Sequence, residues 1–301
     1  MGRLSSAGRT THRQAALLVV GCATAALIGG CGTGSMGHSG NKADPRQAIA
    51  LAVKESAKIT SLTMVETVTM RGLGNLGAGG GLFPGGSTGS GAAGNDVLTA
   101  RVNAKMRLKP TLLAAMSINM QLAGRPISIK EILTARAIYV NVPGGGLPTQ
   151  AGKPWAKISL ASLPNGLNLR KLFEKMQNGS PLTAMGSPKA LAKFLASAKH
   201  LRVIGDQTVG GVATTEYAGI LNRNALMAAV PAAQKKVIRS SGITSIPFRW
   251  WIDRQHHMRK MTMRLAMGKA SMSLIANITS INAPVRIVPP PASQVSTIPT
   301  P

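Results

Sequence analysis

Within the strand predicted at 97–108, hydrophobic and polar residues alternate without a break from position 98 on. Leu98, Ala100, Val102, Ala104, Met106 and Leu108 fall on one side, Thr99, Arg101, Asn103, Lys105 and Arg107 on the other. That period of two is the pattern of a strand with one buried face and one wet face. Positions 112–122 repeat it through Leu112, Ala114, Met116, Ile118, Met120 and Leu122. Shorter strands are predicted at 127–133, 137–142 and 155–160, and the period is already two after Ser61. A pair at 202–207 and 212–220 is joined through Thr208-Val209-Gly210-Gly211, and further strands follow at 246–253, 258–267 and 270–282. The sum is an antiparallel meander with one apolar face.

Elsewhere the period is helical. Asp44 caps, Pro45 takes the first helical position, Gln47 sits where a capping box wants it, and Ile49, Ala52, Val53 and Ala57 make an apolar stripe. Leu169, Leu172, Phe173 and Met176 fall at i, i+3, i+4 and i+7; after Ser187 and Pro188, Leu191, Phe194, Leu195 and Ala198 nearly repeat the spacing. An Ala-rich helix is predicted over about 222–240, bent at Pro231.

The ends read differently. Arg3, Arg9 and Arg13 precede an uncharged stretch from Gln14 to Gly30, the layout of an export signal over 1–30. The stretch is too short and too broken by glycine for the roughly 20 residues that span a bilayer. Ile28-Gly29-Gly30-Cys31 resembles a bacterial lipobox, which implies cleavage before Cys31, acylation of that cysteine, and anchoring on the outer face of the cell membrane. Residues 31–43 then read as a lipidated flexible tether, 44–288 as one domain, and the Pro-rich 289–301 as an extended, disordered tail. The Gly-rich segment 72–95 cannot bury enough to fold alone and is expected to be a loop between two strands, with Leu82-Phe83-Pro84 at its apolar centre.

Charge sharpens the picture. Three of the 35 Lys and Arg lie in the leader, leaving 32 against nine acidic residues, a net +23 for the mature chain. Such a surface favours anionic partners, lipid headgroups or acidic wall polymer, or is a solvated face suited to an acidic exterior. Nucleic acid is disfavoured by export and by the scarcity of aromatics that stack bases. Cys22 leaves with the signal and Cys31 is modified, so no disulfide is expected and a monomer must be held by its packed core.

Motifs that suggest chemistry lack their context. Gly72, Gly74 and Gly77 spell GxGxxG with no helix to follow, and Gly85-Gly86-Ser87-Thr88-Gly89 spells GxSxG within the same Gly-rich run. His256 and His257 are adjacent and point apart, with no ligands placed to complete a metal site. Glu216 and Asp253 make no recognisable acid and base pair at sequence level. No catalytic residue, metal or cofactor is therefore assigned.

Methionine is the anomaly: 15 residues against nine aromatics, with Met106, Met116, Met120, Met261, Met263, Met267 and Met272 on predicted strands. Polarizable thioethers either line an adaptable cavity or fill an ordinary core. The order of parts, with DQTVGGVATTEYAGIL as a strand pair and FRWWIDRQHHMRKMTM as a hairpin, resembles the actinobacterial LppX/LprG lipoproteins over roughly 44–288, the Gly-rich insert departing from a compact member. The resemblance implies an α+β fold: a strongly curved antiparallel half-barrel of about eleven strands with helices on its concave face, similar to LolA-type carriers. It also implies a cavity between sheet and helices for lipid or glycolipid acyl chains in transit across the envelope, with no enzymatic activity. Candidate lining residues are Val102, Met106, Ala114, Met116, Ile118, Met120, Leu172, Phe173, Leu191, Phe194, Leu195, Trp250, Met261 and Met263. The alternative is a structural or adhesive envelope lipoprotein whose basic surface binds anionic wall polymer and whose core is filled.

Overall fold

The computed structural model describes residues 44–72, 97–122, 125–143, 149–150, 152–160, 198–224 and 242–297, and positions 227, 235 and 239 besides. Asp44 accepts the amide N–H of Arg46 at 3.0 Å, and helix α1 (Pro45–Ser56) starts behind that cap. Ala48, Ile49, Ala52 and Val53 are its buried stripe.

Twelve strands follow: β1 (Ser61–Arg71), β2 (Val97–Arg107), β3 (Leu113–Leu122), β4 (Arg125–Leu133), β5 (Ala137–Asn141), β6 (Trp155–Ser159), β7 (Lys199–Val209), β8 (Val212–Asn222), β9 (Ser245–Asp253), β10 (Met258–Met267), β11 (Ala270–Ile281) and β12 (Val295–Thr297). They make one sheet in the order β12-β6-β5-β4-β3-β2-β1-β11-β10-β9-β8-β7. Neighbours are antiparallel except β12, which runs parallel to β6. The sheet is long, curved and unclosed. Register shifts at Thr63/Met64, at Met258/Lys260 and twice along β7 each add an unpaired residue, which bends a strand and increases its twist.

The two halves of the meander meet where β1 pairs with β11. Asn282, in the left-handed region at φ +58°, pins that seam. Its Oδ1 accepts the Thr60 N–H at 2.8 Å, its own N–H donates to the Ser61 carbonyl at 2.9 Å, and Ser61 Oγ donates to the Ala283 carbonyl at 2.6 Å. At the β7–β8 hairpin Gly210 and Gly211 take φ +57° and +81°, the two consecutive positive values a tight two-residue turn requires.

Registered pairs share a face, so the pairing assigns every strand residue to one side. One row crosses nine strands: Ile129, Ile118, Val102, Glu66, Ala276, Met261, Trp250, Tyr217 and Val203. This is the apolar face, and α1 packs on it: Ile49 and Val53 belong to the same buried cluster as Met64, Met106, Ala114, Phe248, Trp250 and Met263.

Two expectations need correction. The strand count is twelve, because the tail predicted to be disordered supplies β12. Past the prolines, Val295 to Thr297 pair with Trp155 to Lys157, while Ser296 Oγ accepts the Gln150 N–H at 2.9 Å. Helix α1 is seated on the apolar face, and Met227, itself helical, packs against the same cluster. The helices predicted at 169–176 and 188–198 and the insert 72–95 lie outside the described residues, save Gly72 and Ala198, as does most of the helix predicted at 222–240.

Candidate functional site

The apolar face is the candidate site. Its strands supply Leu, Met, Val, Ile and Ala at alternate positions, and the register sets them side by side. Val102, Met106, Ala114, Ile118, Trp250 and Met263 are buried on it. Met116 and Met261 are partly buried against the same cluster, and Met120, opposite Ala100, is half-buried. Cys31, Leu172, Phe173, Leu191, Phe194 and Leu195 lie outside the described residues.

α1 covers little of this area. Its 12 residues span about 18 Å, whereas twelve strands at about 4.8 Å spacing extend roughly 50 Å. Thirteen apolar residues, among them Val68, Met116, Val140 and Met261, touch the core and keep part of their surface accessible. Six of the thirteen are methionines, the side chain best able to follow a ligand of variable shape.

Two buried carboxyl groups interrupt this face, and sequence reasoning passed over both. Glu66 lies between Val102 and Ala276 and is 4% exposed; Glu131 lies between Met116 and Val140 and is 8% exposed. Burial pushes each carboxyl up to about 7 from the ordinary 4.5. The signal was available: Leu62, Met64, Glu66 and Val68 share one phase of β1, as Ile129, Glu131 and Leu133 share one phase of β4. Burial and the nearby Asp206 carboxylate also raise the Tyr217 phenol, with a Thr215 hydrogen bond opposing.

The opposite face is polar and basic. Arg101, Lys105, Lys130 and Arg264 are exposed there and Lys157 is half-exposed. Along β1–β6, β10 and β11 the only acidic residues are Glu66 and Glu131, both on the apolar side, so this stretch of the outer face carries no acidic side chain. Acids on the outer face cluster at β7–β9, and each buried one is tied to an arginine. Glu216 accepts from Arg249 at 2.8 Å and from Gln207 at 2.7 Å; Gln207 Oε1 takes the Trp251 indole N–H at 3.0 Å, and Lys260 Nζ lies 4.4 Å from the Trp251 ring centroid. Asp253 accepts the amides of Gln255 and His257 and Arg259 Nε at 2.7 Å, which fixes the β9–β10 turn with His256 at φ +61°. Glu216 and Asp253 thus come to one face, each with its own cationic partner. Among the described residues no group of three or more His, Cys, Asp or Glu is placed to hold a metal ion, and no helix is long and apolar enough to cross a membrane.

No protein-family model and no curated protein matches the chain. Among solved structures the fold is similar to the lipoprotein LppX of Mycobacterium tuberculosis, at 15% identity over 81% of this chain and 98% of LppX, with a TM-score of 0.44. It is similar also to LprF of Mycobacterium bovis, at 14% identity over 82% of this chain and 96% of LprF, TM-score 0.43. A looser likeness to the MucA/MucB complex structure of Pseudomonas aeruginosa has 15% identity and a TM-score of 0.30, over 81% of this chain and 59% of that one. At these identities and TM-scores the likeness concerns the course of the chain alone.

Proposed function

We propose that the protein is an envelope lipoprotein, anchored through acylated Cys31, that holds the acyl chains of a lipid or glycolipid against the apolar face of its sheet for transfer, with no catalytic step. The observation that carries this reading is the set of partly accessible apolar side chains, six of thirteen being methionine, packed on a face far wider than α1 covers. Each methylene removed from water there contributes roughly 0.8 kcal/mol, so a chain of about ten carbons should stay bound through purification. Native mass spectrometry of the chain without its leader, gently extracted, should show co-purifying lipid. Ala114→Trp, placing an indole among Met106, Leu133 and their neighbours, should remove it while the circular dichroism spectrum is kept. Lipid-free protein from a lipid-rich host would reject the carrier reading.

A second reading, a structural or adhesive lipoprotein held to anionic wall polymer, is favoured by the outer face of β1–β6, where Arg101, Lys105, Lys130 and Lys157 have no acidic neighbour on the same face among the described residues of these strands. The two readings use opposite faces of one sheet and are compatible.

A further inference from the structure

Two polar residues on the apolar face, Trp250 and Glu66, are buried and stand in the same registered row. Trp250 is 4% exposed, and its indole Nε1 is buried with no hydrogen-bond acceptor. Its neighbours on the face are Met261, Tyr217 and the Phe248 ring, 5.5 Å away centroid to centroid. Glu66 stands three strands off, across Met261 and Ala276, and is itself 4% exposed. Three strand spacings are about 14 Å between backbones, and both side chains project from the same face over a small alanine and a flexible methionine.

A buried donor or acceptor left unmade costs about 1 to 3 kcal/mol, and apolar walls that bind ligands carry a few such groups to orient them. We propose that Trp250 and Glu66 form a polar subsite in the lipid-binding face, which takes the uncharged ester or hydroxyl region of an acyl lipid while the surrounding Met, Ile and Val hold its chains. This rests on the lipid-carrier reading. The indole N–H donates to an ester carbonyl oxygen. The Glu66 carboxyl, kept largely protonated below neutral pH by burial, both donates and accepts. Glu131 stands three strands beyond Glu66 on the other side, too far from Trp250 to share one linker, and serves as the comparison residue.

The test uses the chain without its leader and two fluorescent probes of equal hydrocarbon content, a diacylglycerol with two ester linkages and its dialkyl ether analogue, which lacks the carbonyls. The wild type should bind the diester tighter by roughly three- to ten-fold, the worth of one net hydrogen bond. Trp250→Phe and Glu66→Leu should each reduce diester affinity toward the diether value and leave diether affinity unchanged, whereas Glu131→Leu should leave the ratio as it is. Equal binding of both probes by the wild type, or an unchanged ratio in both variants, overturns the subsite and leaves the carrier reading standing. Failure of both probes to bind overturns the carrier reading itself. Should Trp250→Phe not fold, the indole N–H resonance of Trp250 in the wild type decides. It should shift with the diester and not with the diether, and an equal response to both rejects the subsite.

Discussion

Phe248 lies over Gly219: a Cβ built on that glycine would stand 2.6 Å from Phe248 Cζ and 3.0 Å from Leu201 Cδ1. The two residues are cross-strand partners on β8 and β9, and the missing side chain makes the space in which a fully buried ring is seated. Gly219→Ala should therefore cost about 1 to 3 kcal/mol through forced displacement of the ring. Urea denaturation measures it, and a change below a few tenths of a kcal/mol would mean the ring shifts freely.

Glu66 and Glu131 set a pH dependence. Both carboxyls lie higher when folded, about 7 against 4.5, so the folded state holds protons that the unfolded state releases. Their favourable contribution is complete below about pH 4.5 and is lost as pH rises to about 7, worth about 3 kcal/mol per group at most. Glu66→Gln and Glu131→Gln should flatten the stability profile between pH 5 and 8 and make the protein more stable at pH 8. A wild-type profile that rises over that interval, and is unaltered by these substitutions, would contradict the assignment.

The Glu216 network should be asymmetric. Arg249 has a side chain 57% exposed while Glu216 is 1% exposed, so the guanidinium can return to water and the carboxylate cannot. Arg249→Ala should cost about 1 to 3 kcal/mol by leaving a buried charge with Gln207 alone, more than the same pair would contribute on an open surface. A double-mutant cycle with Glu216→Gln measures the coupling, and additivity would show that the pair is screened.

The outer face predicts salt-sensitive binding to anionic surfaces. Replacing Arg101, Lys105, Lys130 and Arg264 with Ser should weaken association with anionic vesicles and leave lipid co-purification intact. Raising salt from 0.1 M to 1 M shortens the Debye length from about 10 Å to about 3 Å and should do the same to the wild type. Binding that is equal on neutral vesicles would reject an electrostatic role for this face.

Acylation is tested at its own residue. Cys31→Ser should abolish metabolic acyl labelling and leave the chain uncleaved or released from the membrane. A wild-type mature N-terminus at another position, unmodified, would reject the lipobox reading.

The strands were legible because one face of nearly every strand is apolar and the other wet. β2 was read one residue too long and β3 one residue too early, β10 matches its predicted limits, and β7 gained residues on both sides. β7 was under-read because its two register shifts break the alternation between Lys199 and Gly205. Which strands are neighbours was less legible: the β1–β11 seam joins residues more than 200 positions apart, and only pairing places Trp250, Met261, Ala276 and Glu66 in one row. The glutamates escaped attention because a charged residue in an alternating run reads as outward, whereas its phase says inward. β12 escaped because a proline-rich approach masks three residues that can still pair.

β12 bears on a hazard that any unclosed sheet faces. Its two margins carry unpaired amides and carbonyls, an invitation for a second copy to add strand to strand. At one margin, three residues of the tail occupy the outer side of β6 in parallel, leaving little length for a newcomer to grip. At the other, β7 presents exposed Lys199, His200 and Arg202 and two irregular steps that spoil a straight template. The consequence is colloidal: a twelve-stranded sheet can remain open without polymerising, and removal of 292–301 should be felt first as self-association rather than as unfolding.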